Sequence, residues 1–215
     1  MRRLMMATIL ALLAGPLAAQ EWRGFFGGVT SGATVGEGTH VATVTYGAAS
    51  TDATGYGIVA GYAMQAGAWT WGPELQVQFG DGLGGTFNHA SGTSDMTLST
   101  QSVTTLSVRA GRGSDKLIIS GSLGLALVDV DATFTNLSTP NALTINDNMT
   151  GVVLGLAVDY VLETGWRLRG ELRHFEGLEA SNPNTPYPGL IPVALSAATR
   201  TYDWQDVTVS LIRTF

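Results

Sequence analysis

Cysteine is absent from the 215 residues. Its absence excludes a disulfide scaffold and any thiolate metal site. Lysine occurs once, as Lys116, and charged residues make up 13% of the chain. With a formal net charge of −6, the surface does not suit nucleic acid or a basic-patch contact with anionic lipid. Beyond the first 19 residues no segment offers the ~18 unbroken apolar residues of a membrane helix. Neither G-x-S-x-G nor H-E-x-x-H occurs. His40, His89 and His174 are scattered, without metal-ligand spacing. No cofactor or metal is expected.

What the chain does have is 28 glycines and a high share of Thr, Ser, Val and aromatic residues. This is a β composition, and hardly any segment shows a helical apolar period. Residues 1–19, MRRLMMATILALLAGPLAA, place Arg2 and Arg3 before an apolar stretch that ends in small residues. That is the pattern of a secretory signal peptide. The expected mature chain, residues 20–215, has the length of one domain.

Eight segments alternate apolar and polar residues with period two, as half-buried strands do. They cover about residues 22–31, 53–65, 69–79, 99–112, 117–128, 148–161, 166–178 and 202–215. The expected long loops are 32–52, 80–98, 129–147 and 179–201. Short turns lie between the remaining strands. Pro73 cannot donate to a ladder and predicts a bulge or an irregular pair in the third strand. An even count of strands of roughly ten residues, joined alternately by long loops and short turns, is the pattern of an outer-membrane barrel.

The last segment, YDWQDVTVSLIRTF, is the clearest strand. Val207, Val209, Leu211 and Phe215 share one face. Asp206, Thr208, Ser210 and Thr214 share the other, with Ile212 as the one apolar intruder. This closing strand and the W-x-G-F-F opening at residues 22–26 resemble the small eight-stranded outer-membrane β-barrel family, the opacity-protein or "porin family" group. The family often carries Tyr where this chain has Arg213, whose stem can lie on the apolar face while its head reaches the interface. The resemblance implies an all-β, antiparallel, up-and-down transmembrane barrel in the bacterial outer membrane. The partners it implies are outer-membrane lipids, lipopolysaccharide and the barrel-assembly machinery, with Phe215 as part of the assembly signal. No nucleic acid is expected.

A lipocalin-like soluble barrel would keep its apolar face inside. Here the polar face carries matched charges: Glu74, Asp159, Glu171 and Asp206 against Arg109, Arg167, Arg169 and Arg173. An eight-stranded barrel has a bore that side chains fill. Opposed charges in that bore can pair, and the Leu- and Val-rich face then meets lipid, with aromatic residues near the strand ends. These eight residues are expected to form a lumen network. Glu171, between Arg169 and Arg173 on the same face, is the expected hub.

Other motifs carry less. Residues 80–85, GDGLGG, match G-x-G-x-x-G, but no helix is expected after them, so a loop tip is the better reading. Asp129-x-Asp131-x-Thr133 hints at a calcium loop, yet Phe134 occupies the place of the required glycine. His174 with Glu176 near a strand end has no matching serine, and an interfacial histidine is the simpler reading. Residues 187–198, YPGLIPVALSAA, are nearly uncharged and are a candidate contact for an extracellular ligand. The resembled family includes surface antigens, adhesin-like proteins and proteins that support envelope integrity. The expected function is therefore a structural or surface barrel with a plugged lumen and four extracellular loops. A narrow porin-like channel and a lipid-modifying enzyme are the alternatives.

Deleting Phe215 should lower the amount of folded protein in the outer membrane while export continues. Heat-modifiable migration of the membrane fraction on a gel checks this. An unchanged folded band would show that the terminal aromatic is not part of the assembly signal.

Overall fold

The structure, a computed structural model, describes residues 22–41, 46–80, 85–88, 94–114, 116–136, 142–162, 165–180 and 199–215. The expected signal peptide, His89 and the apolar segment 187–198 lie outside these residues. The described residues form nine strands: β1 (Gly24–Val41), β2 (Tyr46–Ala66), β3 (Trp69–Gly80), β4 (Gly85–Asn88), β5 (Ser94–Gly113), β6 (Leu117–Asn136), β7 (Ala142–Val161), β8 (Trp166–Ala180) and β9 (Thr199–Thr214). Eight of them make a closed ring. Each pairs antiparallel with its neighbours, β3 pairs with β5, and β9 returns to pair with β1 from Phe26↔Thr214 to Val41↔Thr199. The Phe215 amide extends the closing ladder by donating to the Phe25 carbonyl, 2.8 Å. The ninth strand, β4, lies outside the ring's count. It pairs with β5 beyond the end of β3, from Gly85↔Leu98 to Asn88↔Asp95.

The period-two pattern decides which side chain faces where. Leu106, Val108, Leu123, Leu125, Leu154, Leu156, Val207 and Val209 are exposed on the outer face. Their strand neighbours Thr105, Ser107, Ala157 and Thr208 are buried in the lumen. Phe25 and Phe26, which blur the pattern of the first strand in sequence, take opposite sides at 68% and 7% exposure. Ile212 also points inward, where it packs with Phe26, Val59 and Ala63. The intruder on the polar face is thus a piece of apolar packing inside the barrel.

Most of the expected long loops are strand. Residues 32–41, 46–52, 94–98, 129–136 and 142–147 continue the ladders of β1, β2, β5, β6 and β7. These extensions are rich in Gly, Thr, Ser, Asp and Asn, and apolar residues such as Val130, Ala132 and Phe134 are too few in each to mark a strand by themselves. Ladder bonds and cross-strand pairs such as Thr133 Oγ1 to Thr144 Oγ1, 3.0 Å, hold them instead. Strand β4 likewise replaces loop within 80–98, and the stretch after the GDGLGG motif leads into strand rather than helix, which removes the dinucleotide reading.

Register shifts between Gly38 and His40 in β1, between Thr100 and Ser102 in β5 and at Gly177 in β8 interrupt the ladders, and Pro73 is a further irregularity. A bulge in β8, at Gly177 with φ +65°, shifts the register against both β7 and β9. Up to Phe175 the odd-numbered residues of β8 point inward; past the bulge it is Leu178 that is fully buried. At Pro73 the ladder keeps its register, from Gly61↔Glu74 to Met64↔Trp71, but skips the two pairs between. No bulge forms. The proline has no N–H to donate. Gly72 lets the strands come close there, since a Cβ on it would sit 1.8 Å from the Tyr62 carbonyl oxygen.

Gly72→Ala should therefore cost about 1–3 kcal/mol of stability by overpacking. Gly170, on the outer face with nothing within 4 Å of an added Cβ, should tolerate Ala to within about 0.5 kcal/mol. Urea unfolding of the refolded barrel, followed by tryptophan fluorescence, measures both.

Candidate functional site

Among the described residues, the lumen is where the fold gathers chemistry-bearing side chains from every side. Its floor lies at the short-turn end. Trp22, just before β1, packs with Ile118 at the start of β6 and Val161 at the end of β7. The Trp22 backbone N–H donates to Gln65 Oε1, 2.6 Å, which ties the N-terminal segment to the end of the neighbouring strand β2.

Above this floor sit the charges. All eight residues expected in the lumen are buried there. Glu74 on β3 receives two arginines, one from the paired strand β5 and one from β8 across the bore. Arg109 on β5 grips it with a two-pronged contact, Nη2 to Oε1 at 2.8 Å and Nε to Oε2 at 3.2 Å. Arg169 on β8 reaches across the bore to its Oε2, Nη1 at 2.5 Å. Arg169 Nε also donates to Asp159 Oδ1 on β7, 2.9 Å. Arg109 Nη2 crosses to Glu171 Oε1 on β8, 2.5 Å, and its Nη1 donates to Ser120 Oγ, 3.2 Å. Arg167 lies 3.6 Å from Asp159 Oδ1 and rests over the Phe26 ring, 4.7 Å from its centroid. Six charges thus form one chain, Glu171–Arg109–Glu74–Arg169–Asp159–Arg167. A separate pair lies higher: Arg173 holds Asp206 with Nε at 2.9 Å and Nη2 at 2.5 Å, and also donates to Gln78.

The hub differs from the sequence expectation. Glu171 does not bond the flanking Arg169 or Arg173. On a strand, side chains two residues apart are about 6.6 Å apart and run parallel. Partners across the bore meet head to head. Glu74 therefore collects two guanidinium groups, while Glu171 collects one and leaves Oε2 without a protein partner.

Toward the long-loop end the lumen turns apolar, which the sequence pattern did not reveal. Phe175 on β8 stacks on Trp204 of β9, centroids 4.6 Å apart, and both are buried. Val153 is the cross-strand partner of Phe175, and Val128 is the partner of both Val103 and Met149. These residues, with Val130 and Leu178, are buried. The alternation of the strands continues through them, and only the chemistry of the inward set changes. Two lumen cavities, of about 30 and about 10 Å³, have room for a water or two.

The other sequence candidates stay apart from this network. His174 on β8 is half-buried and Glu176 is exposed. Asp129 and Asp131 lie on the β6 extension, where Ser102 Oγ donates to Asp129 at 2.6 Å and Gln101 and Asn146 donate to Asp131. Among the described residues no group of three or more His, Cys, Asp or Glu could hold a metal ion. On the outer face, Trp69, Trp71, Tyr160, Trp166 and Phe215 lie exposed near the short-turn end. Arg213 spans two of these rings, 5.6 Å from the Trp166 centroid and 5.7 Å from that of Phe215. Tyr56 and Phe79 pair toward the other end, 6.3 Å apart. Two aromatic bands bounding a Leu and Val belt fit a bilayer.

Glu74→Ala strips two buried arginines of a partner at once and should cost on the order of 3–5 kcal/mol. Leu125→Val, on the lipid face, should stay within about 0.5 kcal/mol. Equilibrium urea unfolding in lipid vesicles compares the two. Equal midpoints for both variants would contradict the network.

A family model described as outer membrane protein beta-barrel domain matches residues 4–206. Among solved structures, the chain is similar to Neisserial surface protein A, NspA, at 10% identity and TM-score 0.46, covering 89% of this chain and 97% of that one. It is similar to Ail, the attachment invasion locus protein of Yersinia pestis, at 9% identity and TM-score 0.45, covering 88% and 99%. It is also similar to the outer membrane protease OmpT of Escherichia coli, at 11% identity and TM-score 0.48, covering 89% and 97%. No curated protein sequence matches it significantly. With the family model spanning most of its length, the chain belongs to the outer membrane protein beta-barrel domain family, and its place is the bacterial outer membrane.

Proposed function

We propose that this protein is a closed structural barrel that serves envelope integrity or surface interaction through its four extracellular loops. The filled lumen carries this reading. Paired charges occupy the middle of the bore, and Trp22, Ile118 and Val161 on one side and Phe175 and Trp204 on the other close it off. A solute path would have to break buried ion pairs, each costly to half-remove. In outer-membrane barrels short turns face the periplasm and long loops face outward. The extended ladders β1–β2 and β5–β6–β7 then carry polar surface into the medium, the part of the molecule that a partner outside the cell would meet. Outer-membrane lipids and lipopolysaccharide would surround the Leu and Val belt, and the barrel-assembly machinery would read the closing strand. We assign it no catalytic step.

Planar-bilayer recording of the refolded protein should give negligible conductance. Large, stable channels of porin size would replace this reading with that of a pore. Lipid A mass spectra from cells with and without the protein should be identical; a new lipid A species would identify an enzyme.

A further inference from the structure

We propose that the periplasmic half of the lumen binds one small monovalent anion of chloride size, held between Arg167 and Trp22. A cavity of about 30 Å³ lies there, with Trp22, Phe26, Arg109, Asp159, Arg167 and Arg169 among its walls. Three N–H donors of its lining have no hydrogen-bond partner in the protein: Arg167 Nε, Arg167 Nη2 and Trp22 Nε1. Both side chains are more than nine-tenths buried. Arg167 Nε is 3.6 Å from Asp159 Oδ1, beyond hydrogen-bond reach, and that oxygen already accepts from Arg169 Nε at 2.9 Å. The guanidinium rests on the Phe26 ring, which fixes its plane and offers it no acceptor.

The kind of group needed follows from the balance. Every unsatisfied atom of this lining is a donor. The walls carry three arginines and one aspartate, and two of the arginines, Arg109 and Arg169, spend their charge on Glu74. Arg167 is left with a distant half-share of Asp159. An anion supplies the acceptor that these three donors lack. The layers above differ. There Gln76 Nε2 and Arg173 Nη1 are donors while Glu171 Oε2 is an acceptor, so those layers do not call for an anion. The volume admits one halide or a couple of waters and excludes an ion as large as sulfate.

Chloride should therefore raise the thermal midpoint of the refolded barrel by several degrees over gluconate at equal ionic strength. Bromide should match chloride, and sulfate should not. The chloride effect should vanish in Arg167→Gln. It should weaken several-fold in Trp22→Phe, which keeps the apolar floor and removes only the indole N–H, so the test survives if the arginine variant fails to fold. Crystals grown in sodium bromide should show one anomalous peak within hydrogen-bond distance of Arg167 Nη2 and Trp22 Nε1. Equal midpoints in chloride and gluconate without a bromide peak would overturn the proposal in favour of bound water. An equal rise in sulfate would reduce it to salt screening.

Discussion

Every backbone N–H and C=O within the hydrocarbon layer must find its partner inside the protein, because lipid offers none. A sheet can meet that demand only by closing. The β1–β9 ladder, from Phe26↔Thr214 to Val41↔Thr199, is where this chain closes. Closure with eight strands fixes the bore, and a bore of that size is filled by side chains. The inward residues therefore have to pack against one another like a core, though they alternate with lipid-facing neighbours on the same strands. Even the Pro73 irregularity respects the demand: two pairs on one edge of β3 are skipped, while its other edge pairs without a break from Trp69↔Arg112 to Phe79↔Ser102.

Once the bore must be filled, charge inside it has to be matched. An exposed ion pair contributes about 0–1 kcal/mol. A buried charge left alone costs several. The lumen resolves this with four arginines and four carboxylates arranged as one chain of six and one pair, between an apolar floor and an apolar roof. Those layers keep water from screening the pairs, so cross-lumen contacts become a structural tie between β3, β5 and β8, which are not all neighbours in the wall. The same seclusion leaves Arg167 at the bottom of the chain with donors to spare.

Much of this was legible in the sequence, and the reason is the period of two. Alternation at residues 69–79 or 166–178 fixes which side chains face inward without any knowledge of partners, so the eight lumen charges could be named from the sequence. Their pairing could not. Which inward residue meets which depends on strand stagger around a closed ring, and a linear pattern holds no record of it. Glu171 looked central because its charged neighbours are close in sequence, whereas Glu74 is central because the paired strand β5 sets Arg109 beside it and the closed wall brings Arg169 of β8 to face it. The apolar roof escaped for a related reason: an inward Phe175 or Met149 obeys the same alternation as an inward Arg. The strand extensions escaped because stretches such as 32–41, rich in Gly and Thr, have the composition of loops. The Gly177 bulge, by re-aiming Leu178, broke the alternation at a point marked by no turn residue other than the glycine itself.

The pairing across the bore is the claim on which the rest stands, and a double-mutant cycle between Glu74 and Arg169 measures it directly. These residues are 95 apart in sequence and join strands β3 and β8 across the lumen. Unfolding free energies of wild type, Glu74→Gln, Arg169→Gln and the double variant should show a coupling in the range of about 0.5–3 kcal/mol that contacting residues give, with the double variant less destabilised than the sum of the singles. Additive effects, within about 0.3–0.5 kcal/mol, would mean that the two side chains do not meet and that something else fills the barrel.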